Sequence, residues 1–322
     1  MGATWDDAYS CDRPDGELAM TAYLAMPEPV PTGIPKLDQL LGGGMTRGVT
    51  VVGGGPGAGK TALACMAAAR MCELGQRVVY ASYETAWEVV QLRCASAWSV
   101  TEPSVEAFNW SMVANGSERR SRPAYHGLTR QELSRYTVGS AMDPITRALT
   151  AWDEGPGRNL AVITSAENSM ADVCETCEHV AMEDGRPPVL VLDYIQIAPT
   201  GATGQQDDYE RVTDVMRTLR THGYHRDGGC VMALSSLRKL TAAERKDGPS
   251  LDWFRGSGHV GYDAEQAVIL TTDMAKDADG HLVPSVSADG ATEGRMTIVK
   301  NRTGASGTSV PTLLYGWSSY IA

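Results

Sequence analysis

Val49-Thr50-Val51-Val52-Gly53-Gly54-Gly55-Pro56-Gly57-Ala58-Gly59-Lys60-Thr61-Ala62 is the stretch on which the reading of this chain turns. Its first half is a strand-like apolar run, and Gly54 to Thr61 then spell a full Gly-x-x-x-x-Gly-Lys-[Ser/Thr] loop. The residues that follow, Ala62 through Met71, are mostly strong helix formers. Strand, loop and helix in that order are the setting in which such a loop binds a nucleotide. The glycines let backbone N–H groups turn inward around a polyphosphate, and the N-terminus of the next helix adds its positive dipole end. Gly54 to Ala62 are therefore the expected nucleotide cradle. Lys60 is expected to reach the β- and γ-phosphates, and the Thr61 hydroxyl to ligate Mg²⁺. The alternative, a glycine-rich turn that binds nothing, has the flanking elements against it.

The 322 residues are 43% hydrophobic and 21% charged, which is ordinary globular material for one large domain or two small ones. A formal net charge of −11 excludes a protein that coats nucleic acid by bulk electrostatics, because that mode is driven by clustered Lys and Arg. Any nucleic-acid site must be local. The seven cysteines, Cys11, Cys65, Cys72, Cys94, Cys174, Cys177 and Cys230, are odd in number and scattered, several of them in apolar runs. This pattern suits a reducing compartment. Cys174-x-x-Cys177 has the spacing of a zinc knuckle, but no second Cys or His pair accompanies it. With neither the order of a signal peptide nor an apolar run of membrane-spanning length, the expectation is a soluble, cytoplasmic protein without a membrane partner.

Residues 1–30 read as an arm: the start is acidic, residues 16–26 suit a short helix, and Pro27, Pro29 and Pro31 break it. From residue 31 to 322 strand-length apolar runs alternate with helix-length segments. The candidate strands are 49–53, 78–82, 160–164, 189–193, 230–235 and 267–271, with 295–300 and 310–315 closing the chain. Near-continuous apolar strands such as Val189-Leu190-Val191-Leu192 belong to parallel sheets covered on both faces. The fold class is therefore α/β, a mostly parallel twisted sheet flanked by helices. Residues 301–308 are a Gly-rich connection suited to a C-terminal antiparallel hairpin. Residues 101–129 read as an exposed excursion, and residues 199–209 as a polar loop after a core strand, where such sheets place function.

Two carboxylates carry the chemistry. Asp193 ends the run Val189–Leu192, so a rigid strand can hold it beside the phosphate loop to bind a Mg²⁺-coordinated water; capping the next turn is the other reading. Gln196 follows at a spacing that lets its amide sense the γ-phosphate or the attacking water. Glu84 lies just past Val78-Val79-Tyr80-Ala81-Ser82 and is the candidate to position that water. Its structural alternative is a first-turn residue facing a helix dipole.

At this point the sequence resembles the RecA-like, P-loop ATPase domain of replicative DNA helicases of the DnaB type, from about Thr32 to Tyr320. The similarity rests on motifs in order: Thr32-Gly33-Ile34-Pro35-Lys36-Leu37-Asp38 before the phosphate loop; Ser82-Tyr83-Glu84 with Arg93-Cys94-Ala95-Ser96; Leu192-Asp193-Tyr194-Ile195-Gln196; Ala233-Leu234-Ser235-Ser236-Leu237; Arg255-Gly256-Ser257-Gly258 with Asp263-Ala264-Glu265; and Lys300-Asn301-Arg302-Thr303-Gly304 with Gly307-Thr308. The resemblance implies ATP and Mg²⁺ as cofactors, single-stranded DNA as partner, and a homo-oligomeric, hexameric ring with sites between subunits. Lys300 and Arg302 would then complete the neighbour's site, and Arg255, Gly256 and Gly258 would hold the DNA backbone in the channel. Solvated cations at a hairpin tip are the plainer account of Lys300 and Arg302.

The sequence also departs from the pattern. Ser236 stands where the family usually has a glutamine that couples phosphate state to the DNA loops. The phosphate loop is as glycine-rich as in the related RadA and KaiC branches. The arm at 1–30 is not the family's N-terminal helical domain, so the primase partnership does not carry over, and the sequence does not identify a loader. The expected function is an ATP-dependent DNA helicase motor. The alternatives are a RadA- or KaiC-like ATPase that remodels recombination intermediates or proteins, and a nucleotide-switched assembly module with little turnover.

Overall fold

The computed structural model describes residues 28–104, 106–114, 144–202, 206–224 and 229–322. Residues 1–27 of the expected arm, its helix included, and most of the excursion at 101–129 lie outside them.

The strands are β1 (Gly48–Gly54), β2 (Val78–Ser82), β3 (Leu160–Ile163), β4 (Val189–Asp193), β5 (Cys230–Ser236), β6 (Gln266–Thr272), β7 (Met274–Lys276), β8 (Leu282–Pro284), β9 (Thr292–Asn301), β10 (Ser309–Tyr315) and β11 (Tyr320–Ile321). Nine of them form one sheet in the order β11-β10-β9-β6-β1-β5-β4-β2-β3. Strands β3, β2, β4, β5, β1 and β6 run parallel. The remaining three add on antiparallel, with β9 and β10 as the expected hairpin. Every residue of β1, β2 and β4 is buried, which is why these segments read as unbroken apolar runs rather than alternating ones. The small separate hairpin of β7 and β8 is exposed and was not anticipated from the sequence.

The helices are α1 (Pro35–Leu41), α2 (Lys60–Glu73), α3 (Trp87–Ser99), α4 (Trp110–Ala114), α5 (Pro144–Glu154), α6 (Met170–Asp184), α7 (Asp208–Tyr224), α8 (Ala242–Asp247) and α9 (Ser257–Asp263). Two cores result, one on each face of the sheet. The first joins Val52, Leu234 and Val268 to the Ala-rich face of α2 and to α3. The second joins Val51, Leu192 and Ala233 to α6, α7 and Phe254. Small side chains on α2 let that helix approach the sheet closely. Helix α6 begins with a capping box, in which the Ser169 hydroxyl accepts from the Asp172 N–H and Asp172 accepts from Ser169, and it stops at Gly185 with φ +69°.

Two polar side chains fix the approach to β1. Asp38 accepts from Thr32 N (2.8 Å), Thr32 Oγ1 (2.7 Å) and Gly33 N (3.1 Å), closing the lead-in segment on α1. Gln266, fully buried at the start of β6, accepts from Thr46 N (3.1 Å) and Thr50 Oγ1 (2.9 Å) and donates to Leu41 O (3.0 Å) and Gly44 O (3.3 Å). One amide thus satisfies four polar groups that would otherwise be costly to bury.

Candidate active site

The parallel register brings the carboxyl ends of several strands to one edge, the place where open α/β sheets bind ligands. Gly54 of β1 is level with Ser236 of β5 and with Leu270 of β6, and Ser82 of β2 is level with Asp193 of β4. The phosphate loop springs from that edge. Gly57 (φ +75°) and Gly59 (φ +93°) take the left-handed conformations the turn requires. Gly55 and Gly57 face open space, so a ligand can come close to their backbone.

Lys60 Nζ donates to Gly54 O (2.8 Å) and Gly55 O (3.0 Å), folding over the loop it is expected to serve. Burial lowers its pKa, while Asp193 and Glu84 act in the opposite sense. Thr61 Oγ1 donates to Asp193 Oδ2 at 2.9 Å, and the Tyr80 hydroxyl donates to the same oxygen at 3.2 Å. Asp193 is only 1% exposed. Burial raises its pKa, and the Thr61 and Tyr80 hydrogen bonds pull it back down. Asp193 therefore faces the phosphate loop rather than capping its own turn.

Glu84 is exposed in the bend after β2, close enough for its charge to act on both Lys60 and Asp193. The bend is held from below. Ser82 Oγ donates to Thr85 O (2.9 Å) and accepts from Thr85 N (3.1 Å), and Tyr83 N donates to Asp193 O (3.0 Å). The donor set fits a nucleotide with its Mg²⁺: a glycine cradle open to solvent, a half-buried ammonium on it, and hydroxyl and carboxylate oxygens side by side, which hard cations prefer. Tyr80 was missed by the sequence reading. A tyrosine inside an otherwise apolar, buried strand was the available signal, because its hydroxyl must find a partner.

Gln196 is turned to the other face. Its Nε2 donates to Ser235 Oγ (2.9 Å) and Arg255 O (3.2 Å), and its Oε1 accepts from Ser236 N (3.1 Å). Arg255 is exposed and pairs with Asp208 at the start of α7. Gly256 has φ +76°, and a Cβ there would lie 3.0 Å from Val212, so this position requires glycine; Gly258 faces open space. Of the nearby basic residues, Arg238 is paired with Glu244.

Lys300 and Arg302 stand elsewhere. Lys300 Nζ donates to Gly261 O (2.6 Å) and Tyr262 O (3.0 Å), and Arg302 Nη2 donates to Tyr262 O (2.8 Å). Both cations thus sit on the carbonyl end of α9. Burial, and then the charge of Arg302, lower the pKa of Lys300. Lys300 is level with Ala267, and through it with Val51 in the middle of β1, while Arg302 lies further along, level with Glu265 and Val49, away from the chain's own phosphate loop. Cys174 and Cys177 are buried on α6. Among the described residues the only cluster of three potential metal donors is Asp277, Asp279 and His281, exposed at the β7–β8 turn.

The model of the DnaB-like helicase C terminal domain matches residues 29–315. The replicative DNA helicase DnaB of Geobacillus stearothermophilus is 22% identical over 271 residues, 84% of this chain and 51% of that protein. The DNA repair protein RadA of Brucella abortus (strain 2308) is 39% identical over 93 residues, 28% of this chain and 20% of that protein. A solved structure of a DnaB-like replicative helicase, described with its interactions with primase, superposes with a TM-score of 0.68 at 18% identity, covering 98% of this chain and 69% of that one. The chain spans about half the length of the DnaB relative and about a fifth of the RadA relative.

Proposed function

The chain belongs to the DnaB-like helicase C-terminal domain family, and on that premise we propose that it is a Mg²⁺-dependent ATP hydrolase that moves on single-stranded DNA as a ring-forming replicative helicase motor. The observation that carries the reading is the Thr61–Asp193 contact of 2.9 Å beside Lys60 at the mouth of the glycine loop. When bound, Mg-ATP supplies the phosphoanhydride to be cleaved and the cation that offsets its charge. Lys60, which rests on the carbonyls of Gly54 and Gly55, would hold the phosphates, and Thr61 with Asp193 would hold the metal. Glu84, free in solvent at that mouth, orients the attacking water and takes its proton.

Lys300 and Arg302 complete the site of a neighbouring subunit in a hexameric ring; their place away from their own phosphate loop supports this trans role. Arg255, Gly256 and Gly258 hold the strand backbone, with arginine as the phosphate contact and glycines allowing close approach. No described helix is long and apolar enough to cross a membrane, and action in the cytoplasm is part of the reading.

The test is steady-state ATPase with Mg²⁺, with and without single-stranded DNA, using Lys60→Ala to subtract contaminants. DNA stimulation that weakens with salt is the expected result. Turnover that ignores DNA overturns the motor reading. The stretch of 39% identity to RadA favours one other reading, remodelling of recombination intermediates. Unwinding of a forked duplex separates the two, since only the helicase reading requires it.

A further inference from the structure

The nucleotide edge and the Arg255 segment are joined by a closed set of contacts, and Gln196 lies at its centre. Four hydrogen bonds are involved. Ser236 N–H donates to Gln196 Oε1 (3.1 Å), Gln196 Nε2 donates to Arg255 O (3.2 Å) and to Ser235 Oγ (2.9 Å), and Arg255 N–H donates back to Ser236 O (3.2 Å). Gln196 is 5% exposed. Its amide fits only one way round: flipped, it would set an N–H₂ against the Ser236 N–H and an oxygen against the Arg255 carbonyl.

Each end of this ring is tied to something that matters for the proposed chemistry. Ser236 is level with Gly54, the first residue of the phosphate loop. It has the parity of Met232 and Leu234, whose side chains belong to the core on the α2 face, and its buried hydroxyl has no partner among the described residues. Gln196 itself is three residues beyond Asp193, on the same rigid strand exit. A second contact runs in parallel. Phe254, fully buried, lies against Gly53, where a Cβ would fall 2.5 Å from the ring carbon Cε1 and 3.0 Å from Leu237 Cδ2. The residue before the phosphate loop is therefore bare because the segment carrying Arg255 rests on it.

We propose that Gln196 is a positioning residue that transmits the state of the nucleotide edge to the 237–256 segment, using Ser236 and Arg255 as its two contacts, with Phe254 on Gly53 as a second bearing. The unpartnered Ser236 hydroxyl is the polar group on the nucleotide side of this device. Ser236 meets Arg255 directly through its carbonyl, and Gln196 adds a second link between the two from the exit of the adjacent strand. A displacement of Ser236 relative to β1 then reaches Arg255 through two hydrogen bonds rather than through a long loop. The proposal rests on the motor reading for its purpose, but its physical content does not require DNA.

The test uses the full chain and amide hydrogen exchange of residues 237–256 with and without a non-hydrolysable ATP analogue and Mg²⁺. In the unmodified protein the segment's protection should change on nucleotide binding. Gln196→Met, which keeps length and burial but removes both polar ends, leaves Ser236 N, Ser235 Oγ and Arg255 O without that partner and so lowers the thermal midpoint. Measured well below that midpoint, it should lose most of the nucleotide-dependent change in exchange while nucleotide affinity stays within about threefold. A merely structural role would lower the midpoint and leave the response of the folded protein intact. Gly53→Ala, which presses on Phe254, provides a second variant. It should lower protection of 237–256 in both nucleotide states. A segment that ignores nucleotide in the unmodified protein, or that responds equally in Gln196→Met, overturns the proposal. Absence of DNA-stimulated turnover alongside an intact exchange response sinks the motor reading and leaves the coupling standing.

Discussion

Truncating Arg302 to alanine tests whether the site is shared between subunits, and the strand register sets the expectation. Arg302 N donates to Glu265 O and Glu265 N to Val49 O, so Arg302 is level with the lower part of β1, five residues from Gly54. At about 3.3 Å per residue that is roughly 16 Å along the strands, and two strand spacings add roughly 10 Å across. No rotamer of an arginine covers that gap to its own phosphate loop. A finger acting on a neighbour is worth about 10³–10⁵ in rate, so Arg302→Ala should reduce turnover by at least that lower figure while nucleotide binding persists. Mixed with Glu84→Gln subunits, a site is whole when an Arg302→Ala subunit supplies Glu84 and its neighbour supplies Arg302. With random equal mixing in a head-to-tail ring this describes roughly a quarter of the sites. The assay is steady-state ATPase across mixing ratios, with co-assembly checked by mass. Arg302→Ala subunits that keep a tenth of normal turnover alone, or mixed rings that recover nothing, refute the trans assignment.

Glu84→Gln should lower turnover by about 10²–10⁴ with unchanged affinity for a fluorescent ATP analogue; surviving turnover would remove Glu84 from the role of base. Arg255→Ala should weaken single-stranded DNA binding and lower the slope of log affinity against log salt by about 0.7, the loss of one phosphate contact; an unchanged slope would place the DNA elsewhere. Burial pushes the thiols of Cys72 and Cys174 up to about 12 and of Cys230 up to about 11. At pH 8 roughly one in a thousand or fewer of these thiols is thiolate, the reactive form. Iodoacetamide should therefore spare these three cysteines in the folded protein and label them after unfolding. Fast labelling of the native protein, or zinc recovered in equal amount, would restore the Cys174-x-x-Cys177 pair as a chemical site.

What the sequence made legible follows from burial. Strands buried on both faces announce themselves as unbroken apolar runs, and β2 and β4 have the bounds that Val78–Ser82 and Val189–Asp193 mark out. The phosphate loop was legible because its glycines are required by backbone conformation. Which way a polar side chain turns was not. Gln196 is near Asp193 in sequence, as expected for a nucleotide contact, yet strand exit geometry turns its amide to Ser235, Ser236 and Arg255. Gly53 falls in the strand that the sequence marks out, but nothing in the sequence shows that its neighbour is Phe254, about two hundred residues on. The β7–β8 hairpin escaped notice because short, exposed strands carry no burial pattern to read.

The arrangement around Gln266 also governs the order in which the molecule can assemble. Strand β1 lies in the middle of the sheet, but its two partners, β5 and β6, come late in the chain, and the Thr50–Gln266 hydrogen bond spans 216 residues. Such distant pairing makes for slow folding, since loop closure must precede the contacts that reward it. At a synthesis rate of about 5–20 residues per second, roughly 10–40 s separate the emergence of Thr50 from that of Gln266. Throughout that interval the Val49–Val52 run lacks its β6 neighbour, and Leu41 O and Gly44 O wait for the amide that will bury them. The centre of the finished sheet is thus among its last parts to be set, and until Gln266 emerges the apolar Val49–Val52 run keeps an unpaired edge of the kind that templates aggregation.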